Sequence, residues 1–136
     1  MNKIVFFIVI ALCGGFSTVA SAQQSPFRNC DKVAKSALDV PALVCTVVEN
    51  GTIIKDMDLN RGNCANIKKL ILEAKTNYKW NDSQYNGIIE QYGYNKEFKF
   101  GENAILYTQL RGSSAPVCNV IEANISTNKG NWIFKW

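Results

Sequence analysis

No histidine occurs anywhere in the 136 residues. That absence removes Ser-His-Asp and Cys-His nucleophile pairs, histidine acid–base catalysis and histidine metal ligation. Cysteine is sparse, five in all, and no pair has C-x-x-C spacing, so neither a thioredoxin-like redox site nor a zinc ribbon is indicated. Arginine forms no cluster, and Lys68-Lys69 is the only adjacent basic pair, a distribution that speaks against nucleic-acid binding. After the leader there is no internal repeat, low-complexity tract or proline-rich linker. Any catalysis would therefore rest on carboxylates, lysine or tyrosine. The glutamates at 49, 73, 90, 97, 102 and 122 are scattered, although two carboxylates meeting in space can cleave a glycosidic bond.

What is present begins with a leader. Lys3 supplies a positive start, Ile4 to Leu12 is an unbroken apolar run, and small residues lead to Ala20-Ser21-Ala22, an A-x-A cleavage pattern. The run is too short for a membrane span, which needs about 20 apolar residues. Residues 1–22 are expected to be a signal peptide, bacterial in style, and residues 23–136 a single exported domain with no integral membrane segment after cleavage. Removing the leader takes away Lys3 and no acid, so the charge falls from +4 to +3.

Cleavage also removes Cys13 and leaves Cys30, Cys45, Cys64 and Cys118. An even number in a small exported chain favours two disulfides. Four cysteines allow three connectivities. Cys30–Cys45 with Cys64–Cys118 is preferred, on the expectation that a helix over 30–38 followed by a strand from 42 brings the first pair together. The second pair would then tie a central helix to a C-terminal strand.

Periodicity divides the rest. Cys30, Val33, Ala34, Ala37 and Leu38 have helical spacing. Ala42 to Val48 reads as a buried strand, Asn50-Gly51 as a hairpin turn, and Thr52 to Met57 as the returning strand. Ile67, Leu70, Ile71, Ala74 and Tyr78 form one helical stripe, with Asn63 a candidate N-cap. Tyr85, Ile88, Ile89 and Tyr92 form a second, with Gly93 suited to the position after the helix. From Tyr94 the period changes to two, giving strands over 94–100, 104–110, 117–126 and 132–136, with a loop over 111–116. The expected fold is α+β: a hairpin plus a C-terminal four-strand antiparallel meander, two or three helices packed on one face, and disulfide staples.

Asp56 to Gly62 offers oxygen ligands at alternate positions, as a calcium loop does, but the glycine is one place late and Ile67 stands where a bidentate glutamate belongs. The segment reads instead as a polar strand-to-helix turn, and no metal or cofactor is expected. Trp132, Phe134 and Trp136 alternate like the last strand of an outer-membrane barrel. Eight strands of about ten residues would use most of the mature chain, leaving no room for helices.

All five tyrosines and all three tryptophans lie between Tyr78 and Trp136. Both residue types combine large contact area with a polar handle and are enriched at binding hot spots. Trp80, Tyr94 and Trp132 flank turn signals and are the candidate binding residues; no catalytic residue is assigned. These features favour a small periplasmic or secreted binding protein, of inhibitor or immunity type, acting on a protein or other macromolecule of the envelope or extracellular space. The alternatives are a secreted effector or toxin with carboxylate-based hydrolytic activity, or a binder of sugars or lipid head groups.

Overall fold

The computed structural model describes residues 24–112 and 117–136, so the expected leader and most of the 111–116 loop lie outside the described residues. The element order is β1 (Phe27–Val33), β2 (Ala42–Val47), β3 (Thr52–Leu59), a 3-10 turn (Asn60–Gly62), α1 (Ile67–Tyr78), α2 (Asp82–Gln91), β4 (Glu97–Phe98), β5 (Asn103–Tyr107), β6 (Glu122–Thr127) and β7 (Gly130–Lys135). The fold is α+β, with two antiparallel sheets ordered β1-β2-β5 and β4-β3-β6-β7. Among the described residues no helix is long and apolar enough to cross a membrane.

The first predicted helix is a strand instead. β1 pairs with β2, and its register slips by one residue between Phe27 and Cys30. A bulge of this kind places two residues of one strand opposite one of the other. It puts Phe27 and Cys30 inward with Arg28 and Asn29 exposed between them. The helical spacing of Cys30, Val33, Ala34, Ala37 and Leu38 runs from the end of β1 into the loop that follows it. The disulfide Cys30–Cys45 therefore links directly opposed residues of neighbouring strands, Cα atoms 4.0 Å apart, and not a helix to a strand.

Asn50-Gly51 does not close a hairpin, because β2 and β3 belong to different sheets. β2 pairs with β5 from Ala42↔Tyr107 to Thr46↔Asn103, and β3 pairs with β4 at Thr52↔Phe98 and Ile53↔Glu97. Those pairs lie on one nearly continuous antiparallel register. Both chains bend between them, at 48–51 and 99–102, and so pass together from one sheet to the other. Hydrogen bonds hold the corner: Gly101 N–H donates to Val47 O (2.8 Å), Val47 N–H to Glu102 O (2.8 Å) and Gly51 N–H to Phe98 O (2.9 Å). The Asn50 side chain accepts from Phe100 N–H at 2.7 Å, and Gly51 takes the positive φ (+77°) that the bend requires.

The predicted four-strand meander is replaced by this arrangement. Of the four strands predicted for the meander, only β6 and β7 pair with each other, while β4 shrinks to two residues beside β3 and β5 joins the other sheet. At the far side, Trp136 Nε1–H donates to Cys30 O (3.1 Å) and the Phe27 and Phe134 rings meet edge to face, tying β7 to β1. Leu43, Val47, Ile54, Met57, Leu106 and Ile125 fill the core, each 1% exposed or less.

The turn after β3 is organised by Asn60, which is not a helix cap. Its side chain donates to Asn119 O (2.8 Å) and accepts from Ile121 and Glu122 N–H (2.8 and 3.0 Å). The α1 cap is Asn66, not Asn63: Asn66 Oδ1 accepts from Lys69 N–H at 2.9 Å. Asp56, the first residue of the calcium-like run, stands on β3 and accepts from Met57 N–H and Asn66 Nδ2. The second disulfide, Cys64–Cys118, fixes this turn to the irregular segment before β6.

Candidate binding cleft

α1 ends abruptly. Lys79 adopts the left-handed conformation (φ 55°, ψ 43°), its N–H and that of Trp80 both reaching Lys75 O. A lysine in that conformation carries a steric cost of about 1–2 kcal/mol that glycine would not. Asn81 then starts α2 through a capping box: its side chain accepts from Gln84 N–H (2.8 Å), and Gln84 accepts from Asn81 N–H (3.0 Å). Three residues, 79–81, thus separate the helices, and Tyr78 and Trp80 flank the break with rings stacked at 5.9 Å and 23°. Tyr78 is 73% exposed.

The helices and the Leu110-Arg111-Gly112 segment enclose a cleft of about 470 Å³. Its floor is apolar, from Ile71, Ala74 and Ile88, and its walls are Tyr78, Trp80 and Tyr92. Tyr92 is anchored by an edge-to-face contact with Tyr107 at 5.3 Å, and its hydroxyl accepts from Arg111 N–H at 3.1 Å. That bond fixes the backbone of the one charged residue in the lining. No carboxylate lines the cleft, and none pairs with the Arg111 guanidinium among the described residues. Nearby Asp82 is engaged by Lys75 at 2.6 Å, a hydrogen bond and charge that hold its carboxyl below the usual range.

Of the sequence-selected residues, only Trp80 lines this cleft. Tyr94 is wholly buried, 0% exposed, and presents no surface to a partner. Burial, then the Asp56 carboxylate, push its phenol well above the ordinary tyrosine range. Trp132 is half-buried on β7 opposite Ile125, in the other sheet. Tyr78, Tyr92 and Arg111 were missed. The two tyrosines continue helical stripes that read as core, whereas Arg111 carries no sequence signal at all.

A larger groove of about 720 Å³ runs between the loop end of the β1–β2 pair and residues 117–120. Lys32 crosses it to donate to Val120 O (2.7 Å), and Asp39 on its rim pairs with Lys35. Among the described residues neither depression is lined by two carboxylates, the arrangement glycosidic hydrolysis would use. Among the described residues no group of three or more potential metal ligands converges. The chain matches no protein-family model, no curated protein and no solved structure.

Proposed function

We propose that this is a small exported binding protein, of inhibitor or immunity type, that engages a macromolecule of the envelope or extracellular space through the α1–α2 cleft. The observation that carries the reading is the gathering of Tyr78, Trp80 and Arg111 around one apolar depression. Trp, Tyr and Arg are the residue types that dominate interface energetics when they sit in or beside a pocket. Two disulfides support an oxidising, exported setting and stiffen the scaffold, so less conformational freedom is lost on association.

The stacked Tyr78–Trp80 pair also favours a second reading, a platform for a sugar ring or lipid head group. Both readings use the same cleft and differ in what co-purifies.

The test starts by capturing partners with the mature protein from envelope and culture fractions. Trp80→Ala and Tyr78→Ala should then each weaken affinity for the captured macromolecule by about 2 kcal/mol, roughly thirtyfold, while the melting temperature moves little. Unchanged affinity in both variants would remove the cleft from the interface.

A further inference from the structure

The cleft is one-sided in charge as well as in shape. Among the described residues its lining has a single charged side chain, Arg111, and no carboxylate. The Lys79 residue between the two stacked aromatics is exposed and adds a second cation at the rim. The neighbouring acid is already taken: Asp82 is bound to Lys75, which also lies 5.0 Å over the Tyr85 ring. Among the described residues, then, no carboxylate of this chain answers Arg111, while its backbone is held at the mouth by the Tyr92 hydroxyl. A guanidinium carried on that held backbone, beside an apolar, aromatic-walled hollow, offers a planar fork of donors suited to a carboxylate.

We infer that the cleft receives an acidic amphipathic segment of a protein partner, one apolar or aromatic side chain entering between Tyr78, Trp80 and Tyr92 and an adjacent carboxylate meeting Arg111. This rests on the cleft being the interface and names the chemistry of what fills it. The volume, about 470 Å³, accommodates one large side chain with its neighbours and lies in the usual range of ligand pockets. Lys79 contributes long-range attraction and not contact. The left-handed conformation at Lys79 keeps Tyr78 and Trp80 on either side of a sharp bend, which is how the two rings come to form one wall.

The probe is a capped pentapeptide with a central phenylalanine between glutamates and aspartates, compared with its glutamine and asparagine counterpart. The readout is the Trp80 indole N–H resonance of the full mature protein. The acidic peptide should shift that resonance with about tenfold higher affinity than the neutral one, and raised salt should shrink the difference. Arg111→Gln should bring the acidic peptide down to the neutral peptide's affinity, and Arg111→Lys should restore only part of the preference. Unchanged amide spectra away from 110–112 establish that both variants fold. Equal affinities for the two peptides, a preference that survives Arg111→Gln, no shift with either peptide, or a shift produced only by vesicles of anionic phospholipid would each overturn the inference. If Trp80→Ala weakens the captured partner while the acid preference is missing, the anion inference fails and the cleft remains the interface. If Trp80→Ala has no effect on the partner, the interface reading itself has failed.

Discussion

The hydroxyl of Tyr94 is buried and has no hydrogen-bond partner among the described residues. A buried unsatisfied polar group costs about 1–3 kcal/mol, whereas its ring, packed after α2 with Ile89, contributes core burial. Tyr94→Phe removes the first and keeps the second. It should hold or raise stability, by up to about 1 kcal/mol in urea denaturation; a loss larger than that would mean the hydroxyl is satisfied in solution. The contrast with Trp80 is one of position only. Both aromatics stand beside turns, which is why they look alike in the sequence. Tyr94 lies in the chain reversal that ends α2 inside the core, and Trp80 in the bend that ends α1 at the surface. A turn signal marks where the chain changes direction, and which side of the molecule the turn faces is a tertiary property.

At the scale of elements, the chain leaving α2 comes close to β5 at Gly93. Gly93 N–H bonds Glu90 O and Tyr94 N–H bonds Ile89 O, the paired bonds of a Schellman motif, with Gly93 at φ +100°. A Cβ there would stand 2.6 Å from Ile105 O and 2.9 Å from a Leu106 methyl. Gly93→Ala is therefore strained in its backbone and clashes with a strand backbone that cannot rotate away. It should cost about 2 kcal/mol or more, read as a lowered denaturation midpoint; an effect below about 0.5 kcal/mol, the scale of an ordinary surface change, would contradict the close approach. This glycine was legible as a helix stop, and the two central helices were legible as stripes. The first strand was not, because the stripe from Cys30 to Leu38 joins the end of β1 to the loop after it, where Ala34, Ala37 and Leu38 belong to no helix. The corner at 48–51 and 99–102 was not legible either. Asn-Gly encodes a bend, but pairing with a partner strand some 50 residues away decides whether that bend reverses the chain or turns it into a second sheet.

For the whole molecule, two bent β segments, a bulged edge strand and two helices close around one core. Cys30–Cys45 closes a short loop and Cys64–Cys118 a long one. Bridges of this kind typically contribute about 2–4 kcal/mol each, mainly by restricting the unfolded chain. Such a scaffold can hold an aromatic wall and an arginine apart from any carboxylate without collapsing the hollow between them. Of that site only Trp80 was readable as a candidate, through the concentration of aromatics in the second part of the chain. Tyr78 was hidden because an exposed residue at the end of an amphipathic stripe looks the same as a buried one in its middle, and Tyr92, which is buried, because nothing in a stripe marks which core aromatic also borders a hollow. Arg111 was hidden because only the fold brings it to the helices.

The partner is proposed to sit in the cleft between α1, α2 and residues 110–112. Amide hydrogen exchange of the mature protein, with and without the captured partner, tests it most directly. Protection should concentrate in residues 71–80, 88–92 and 110–112, with β6 and β7 unchanged. Protection confined to the β7 edge, or to 32–43 with 117–120 along the larger groove, would place the interface elsewhere and contradict the account.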